Sequence, residues 1–117
     1  MPINIYQNPF DSSDPQETLS AYLAWHSSNY DIYKNEMIKR LCPQPMKGLI
    51  CLDISCAGGL FSIWMAQQGA MVVGIDQSTY SLEAARLYAC QAGVEDRCQF
   101  INADITEFKP TEDFDFI

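Results

Sequence analysis

The stretch that decides the fold is residues 49–59, Leu-Ile-Cys-Leu-Asp-Ile-Ser-Cys-Ala-Gly-Gly. Its first part, residues 49–54, is almost continuously apolar, which is typical of a short parallel strand covered on both faces. The small residues 55–59 then predict a tight turn, and a helical pattern follows until Gly69 ends it. A strand, a tight turn and a helix in this order form the first part of a βαβ unit.

The same alternation continues toward the C-terminus. Three more strands are predicted at residues 71–75, 98–102 and 114–117. Between the second and third strands, Ser78 caps a helix that Gly93 closes. The sequence therefore predicts an α/β fold: a doubly wound parallel sheet of about four strands, with flanking helices and right-handed crossovers, incomplete at its fourth strand.

Residues 1–47 have a helical pattern instead. Asp14 before Pro15, with Glu17 three residues after Asp14, predicts a helix start that resembles a capping box. We therefore divide the chain into an N-terminal helical segment, 1–47, and a core, 48–117, that is truncated in strand four. An apolar edge strand is a template for association, so self-association through that edge is expected.

Composition excludes several classes of protein. The net charge of −8 with only seven basic residues argues against a nucleic-acid partner, because such binding neutralises phosphates with Lys and Arg. No apolar run approaches the ~20 residues of a membrane-spanning helix, and no signal peptide is evident. The five cysteines are odd in number and include no C-x-x-C pair, so we expect neither a disulfide framework nor a metal site, and a cytoplasmic location.

Candidate binding residues fall at the carboxyl ends of the predicted strands, where open parallel sheets bind ligands. The small-residue turn 55–59 follows strand one, Asp76 follows strand two and Asp104 follows strand three. The turn lets a ligand approach the backbone. A carboxylate after strand two can accept both hydroxyls of a ribose, and a third acid can accept from the amine of an adenine. These positions predict a nucleoside site.

The type of nucleoside follows from charge. A dinucleotide fingerprint requires glycine where this chain has Ser55, Ala57 and Leu60, and no Gly-Lys-Ser/Thr of a P-loop follows the strand. Between Gly48 and Ala85 there is no Lys or Arg to meet a phosphate. S-adenosylmethionine has no phosphate, and its cationic groups favour an acidic environment. The pattern favours this ligand over a nicotinamide dinucleotide.

Four segments, in order, resemble the motifs of class I (Rossmann-like) methyltransferases, and in particular the small-molecule branch of ubiquinone biosynthesis. They are residues 52–59, 72–78, 100–105 and 114–117. The resemblance implies that S-adenosylmethionine is the cofactor and that a small molecule accepts the methyl group. It also implies that the N-terminal helices form a lid over the cofactor. The chain then corresponds to the N-terminal, cofactor-binding part of such an enzyme.

The resemblance also implies roles for individual residues. Asp53 would anchor the turn and help to hold the ammonium group, Asp76 would bind the ribose, and Gln77 would pack on the adenine. Further contacts would come from the turn (Ser55, Cys56, Ala57, Gly58 and Gly59), from the adenine edge (Asp104 and Ile105) and from the lid (Tyr22, His26 and Tyr30). No metal ligand is implied and no catalytic base is identified.

Several alternatives remain open at this stage. Ser55 and Ala57 replace glycines of the family, and if they need a positive φ each costs about 1 kcal/mol. Asp104 could merely cap the turn that follows it. Cys56 is expected to contribute its backbone only, since no base lies near it in sequence. A non-catalytic S-adenosylmethionine or S-adenosylhomocysteine-binding module, acting as a partner subunit, is the second functional hypothesis.

Overall fold

The computed structural model describes residues 8–29 and 40–117, except for the side chains of residues 26–29. The α-helices whose bounds lie within these residues are α1 (Pro15–Asn29), α2 (Leu60–Gln67) and α3 (Thr79–Gln91), and the strands there are β1 (Ile50–Ile54), β2 (Met71–Asp76) and β3 (Cys98–Asn102). Two short 3₁₀ helices, Pro9–Asp11 and Glu95–Arg97, precede α1 and β3. No helix within these described ranges is both long and apolar enough to cross a membrane.

The sheet is parallel with the order β1-β2-β3. On the free side of β1, the Leu52 amide donates to the Phe116 carbonyl over 2.9 Å, and Cys51 forms a parallel bridge with Phe116. The C-terminal residues therefore lie beside β1, opposite β2, and the strand order reverses next to β1. The α/β prediction is confirmed, although the fourth strand contributes a single bridge rather than a full strand.

Both connecting helices pack on the same face of the sheet. The chain moves in one direction from β1 to β2 to β3, so right-handed crossovers place α2 and α3 together. The core on this face contains Ile63, Met65, Val72, Leu82 and Phe100. On the opposite face, Leu52, Val73 and Ile75 form a smaller cluster against which Phe108 and Phe114 pack. The strands are thus apolar on both faces, as their sequences predicted.

The start of α1 differs in detail from the predicted capping box. Asp14 is the cap as expected, since its Oδ1 accepts from the Gln16 amide over 3.0 Å. Glu17, however, accepts from the Ser12 hydroxyl over 2.7 Å, and that same hydroxyl accepts from the Asp14 amide over 3.1 Å. In a capping box the Glu17 carboxylate would accept directly from the Asp14 amide. Here the Ser12 hydroxyl lies between these two groups and bonds to both.

Helix α1 packs along α3, and this contact positions the N-terminal segment near the site described below. Leu19 and Thr18 are fully buried, and the Thr18 hydroxyl donates to the Ser12 carbonyl over 2.9 Å. Gln91 at the end of α3 donates to the Gln16 side chain over 3.2 Å. This bond lies toward the amino ends of the strands, whereas Tyr22, farther along α1, contacts Ser81 at the start of α3, next to the carboxyl ends of the strands.

Candidate functional site

A cleft of about 210 Å³ opens at the carboxyl ends of the three strands. It is lined by Ile54, Ser55, Ile75, Asp76, Gln77, Ala103 and Ile105. The structure thus brings together four of the predicted binding residues, which come from the ends of three different strands. Ile54, Ile75 and Ala103 also line the cleft and had not been singled out, because an apolar residue at a strand end carries no distinctive sequence signal.

Asp76 holds the two sides of the cleft together. Its Oδ2 accepts from the Ala57 amide over 2.9 Å, and its Oδ1 accepts from the Ser78 amide over 2.8 Å. These bonds join the turn after β1 to the loop after β2. Each carboxylate oxygen keeps further acceptor capacity, so the two amides orient the carboxylate without saturating it.

The turn after β1 adopts the left-handed conformation at three positions. The φ angles are 57° at Ser55, 51° at Ala57 and 77° at Gly59. At Gly59 a Cβ atom would lie 2.8 Å from the Ala85 Cβ and 3.2 Å from the Phe100 ring. Only glycine therefore fits the last position. Ser55 and Ala57 both have the positive φ that strains residues with a side chain. The energetic cost that was expected if φ is positive therefore applies to both residues.

Asp53, in β1, is joined to the helix that follows the turn by a hydrogen bond to Ser62. Its Oδ2 accepts from the Ser62 hydroxyl over 2.6 Å, in the first turn of α2. The residue at the N-cap position, Gly59, has no side chain to cap this helix, and the Asp53 carboxylate from β1 lies beside its first turn through the bond to Ser62. Its partner Ser62 is fully buried and had not been predicted as part of the site. The anchoring role expected for Asp53 agrees with this geometry.

Burial raises the pKa of Asp53 above its ordinary value, and the nearby Asp76 carboxylate adds to the rise. The native chain then binds this proton more tightly than the unfolded chain does, so the contribution of Asp53 to stability falls as pH rises from about 4 and levels off above the raised pKa. We expect the free energy of unfolding of the parent, minus that of Asp53→Asn, to decrease over this interval. Urea titrations at several pH values measure it, and an increase would contradict the prediction.

Cys56 points away from the cleft into the core. Its side chain is 7% exposed, and its amide donates to the Ile75 carbonyl over 2.9 Å. Burial raises the pKa of its thiol strongly, and the carboxylates of Asp53 and Asp76 raise that pKa further. A thiol that stays protonated is a poor nucleophile. The structure therefore supports the expectation that Cys56 contributes its backbone only.

All five cysteines are free thiols, and Cys90 alone among them is exposed. Burial also raises the pKa of Cys98 to about 11. We expect the native protein to show one fast-reacting thiol with an aromatic disulfide reagent and the unfolded protein to show five. Cys90→Ser should remove the fast phase, and a fast phase that persists in this variant would show that a buried thiol is accessible.

Asp104 does not line the cleft. Its Oδ1 accepts from the Thr106 amide over 2.9 Å and from the Thr106 hydroxyl over 2.8 Å. These hydrogen bonds lower the pKa of Asp104. The carboxylate therefore caps the turn after β3, which is the alternative the sequence had left open. The adjacent Ile105 does reach the cleft and is 46% exposed.

Gln77 lies between two clefts. It lines the first with Asp76, and it lines a second, more open one of about 550 Å³ with Asp11, Ser78, Thr79 and Tyr80. Its carbonyl accepts from the Asn102 side chain over 3.1 Å, which ties the loop after β2 to the end of β3. Asn102 is a supporting residue that the sequence analysis had not assigned.

Tyr22 from α1 lies directly over the turn. A Cβ atom added to Gly58 would lie 2.5 Å from the Tyr22 ring, and the Tyr22 hydroxyl is 2.7 Å from the Ser81 hydroxyl on α3. Burial raises the pKa of Tyr22, and the Asp76 carboxylate adds to this rise. The predicted lid contact by Tyr22 thus has a partner in the turn. The side chain of His26 and all of Tyr30 lie outside the described residues.

Comparison with known proteins places this geometry in a family. Residues 51–117 match the methyltransferase domain family. A ubiquinone biosynthesis O-methyltransferase of Sinorhizobium fredii is 41% identical over 75 residues, which are 64% of this chain and 30% of that protein. The protein of the same description from Brucella anthropi is 47% identical over 53 residues, 45% of this chain and 21% of its own length. The chain spans less than a third of the length of these curated relatives.

Solved structures share the fold. A putative S-adenosyl-L-methionine-dependent methyltransferase from Methanococcus maripaludis has a TM-score of 0.66 at 21% identity, over 92% of this chain and 48% of that one. One from Geobacter sulfurreducens, solved with S-adenosyl-L-homocysteine, has a TM-score of 0.63 at 22% identity, over 81% and 40%. The family match includes the turn, Asp76 and the cleft. As its four motifs predicted, the chain belongs to the methyltransferase domain family.

Proposed function

We propose that the cleft binds the nucleoside part of S-adenosylmethionine and that the protein transfers a methyl group to a small-molecule acceptor. The observation that carries this proposal is the composition of the cleft. Its charged side chain is the carboxylate of Asp76, and residues 48–85 contain no Lys or Arg. Such a site suits a ligand with cationic groups and no phosphate.

The cleft fits part of this cofactor. At about 210 Å³ it is smaller than the usual site for a whole drug-sized ligand, so it accommodates the nucleoside, with the amino-acid part along the turn. Asp76, fixed by two amides, presents acceptor capacity to the ribose hydroxyls. Gln77 and Ile105 flank the place for the adenine. Asp53 and Asp76 make the surroundings of the turn acidic.

The cofactor supplies a methyl group on a sulfonium, which is a good leaving group, so the protein's main task is alignment. In this chain the turn and Asp76 orient the ligand, and α1 covers the turn through Tyr22. We propose that residues 1–47 act as the lid and residues 48–117 as the binding core. The relatives described as O-methyltransferases of ubiquinone biosynthesis support a small molecule with a hydroxyl group as the acceptor. The free thiols support a reducing compartment, and we propose the cytoplasm.

Calorimetric titration of the chain with S-adenosylhomocysteine and, separately, with NAD tests the ligand. We expect the first to bind and the second not to, because a pyrophosphate would find no cation in the turn and two carboxylates nearby. Saturable binding of NAD, or no binding of S-adenosylhomocysteine, would overturn the proposal. Titrations at several temperatures also give the negative heat-capacity change that burial of the adenine should produce.

A methyl-transfer assay distinguishes an enzyme from a non-catalytic binding subunit. Transfer of a radiolabelled methyl group from S-adenosylmethionine to members of a panel of phenols is the expected result. Binding of S-adenosylhomocysteine without transfer to any acceptor, in the whole gene product as well as in this chain, would favour the binding subunit.

A further inference from the structure

We propose that the Ser55 hydroxyl is a specificity-determining contact, which donates a hydrogen bond to the carboxylate of the amino-acid part of the ligand. This inference rests on the proposed function, since it assigns a residue to one end of the same ligand. Ser55 occupies a position where the family has glycine. Its hydroxyl can therefore make a contact that the backbone alone does not provide.

The backbone at Ser55 gives the first reason. Its φ of 57° is a conformation that glycine adopts freely and that other residues adopt at an energetic cost. Strained residues of this kind cluster at functional sites, where the side chain contributes something that offsets the strain. Ala57 has nearly the same φ, 51°, but carries no polar group, so it offers a comparison within the same turn.

The position of the hydroxyl gives the second reason. Ser55 is exposed and lines the cleft beside Asp76. No hydrogen bond of its side chain to any other residue is present in the described part of the chain. Unlike Ser62 and Ser81, whose hydroxyls bond to neighbouring side chains, Ser55 keeps its donor available to a ligand.

The shortage of donors around the turn gives the third reason. The ammonium and sulfonium groups of the ligand have Asp53 and Asp76 nearby, whereas its carboxylate needs donors and finds no Lys or Arg in residues 48–85. Three amides of the turn are already used by the protein. They are those of Cys56, Ala57 and Gly59, which donate to the Ile75 carbonyl, the Asp76 carboxylate and the Cys56 carbonyl.

The properties of the Ser55 hydroxyl favour it as a donor to the ligand carboxylate. In the first turn of α2, the Ser62 hydroxyl donates to the Asp53 carboxylate, whose negative charge offsets part of the positive end of this helix. The Ser55 hydroxyl is uncharged, can rotate toward the ligand and carries no repulsion for the neighbouring acids. Within residues 48–85 it therefore adds a side-chain donor to the backbone amides that the turn leaves available.

The test compares two ligands and two substitutions in the full chain. S-adenosylhomocysteine has the amino-acid part, and 5′-methylthioadenosine shares the nucleoside but lacks that part. We expect Ser55→Ala and Ser55→Gly each to lose about tenfold in affinity for S-adenosylhomocysteine, since a hydrogen bond to a charged group disappears. Affinity for 5′-methylthioadenosine should stay at the parent value in both variants.

Thermal unfolding without ligand distinguishes the effect of the lost hydroxyl from the effect of relieved backbone strain. Ser55→Gly should raise the midpoint because glycine relieves the strain, whereas Ser55→Ala should not. Ala57→Gly should also raise the midpoint, which shows the relief of strain at a second position of the turn without the loss of a hydroxyl. A loss of affinity in Ser55→Gly that Ser55→Ala does not share would come from backbone freedom and not from the hydroxyl.

Two results would overturn the inference while leaving the proposed function intact. One is unchanged affinity of both Ser55 variants for S-adenosylhomocysteine. The other is an equal loss for both ligands, which would place the hydroxyl on the nucleoside or make its role that of shaping the turn. If the parent chain binds neither ligand, the proposed function fails and this inference fails with it.

Discussion

Replacing Gly59 with alanine is expected to lower the free energy of unfolding by about 3 kcal/mol. Two effects add at this position. The residue has a φ of 77°, and the new Cβ would lie 2.8 Å from the Ala85 Cβ on α3. Neither the helix nor the Phe100 ring can move away without disturbing the core around β3.

Gly93 provides the matched control for Gly59. It has a similar φ of 72°, but a Cβ there would meet no atom within 4 Å. Gly93→Ala should therefore show the backbone strain alone, about 1 kcal/mol. Chemical denaturation of both variants measures the difference. Equal losses would mean that the close approach of the turn to α3 does not constrain the fold.

Replacing Asp76 with asparagine is expected to reduce affinity for S-adenosylhomocysteine about a hundredfold, because hydrogen bonds to a charged acceptor are worth about 1.5–3 kcal/mol each and two ribose hydroxyls share this carboxylate. The amide keeps one acceptor, so it retains one of the backbone bonds to Ala57 or Ser78. Its NH₂ group then faces the other amide, so some loss of fold stability accompanies the loss of affinity.

The variant Asp115→Asn is the control that distinguishes the loss of affinity from the loss of fold stability. Its Oδ2 accepts from the Ile50 amide over 2.8 Å, so Asp115→Asn also weakens a carboxylate bond to a backbone amide. It lies at the amino end of β1, away from the cleft. We expect Asp115→Asn to lose stability but to bind S-adenosylhomocysteine as the parent does. If Asp76→Asn binds as tightly as Asp115→Asn, then Asp76 has a structural role only and the ribose assignment is wrong.

The positions of the strands could be predicted because apolar runs and the small residues that end them are local features. β3 lies at residues 98–102 as predicted, and β1 begins one residue after the apolar run does. The placement of Asp76 and the turn at one edge followed from the rule for parallel sheets. The contribution of Asp104 could not be decided in this way, because a carboxylate after a strand can bind a ligand or cap its own turn, as it does here with Thr106.

By itself, the sequence determined the type of sheet, the place of the site and its acidic character, because these depend on periodicity, on composition and on the small residues of the turn. The tertiary structure alone decided which groups meet. The Asp76 carboxylate reaches the Ala57 amide, 19 residues earlier, because parallel pairing of β1 and β2 brings their carboxyl ends together. Tyr22 covers Gly58 because α1 packs on α3. Contacts between distant segments depend on packing, which no local pattern encodes.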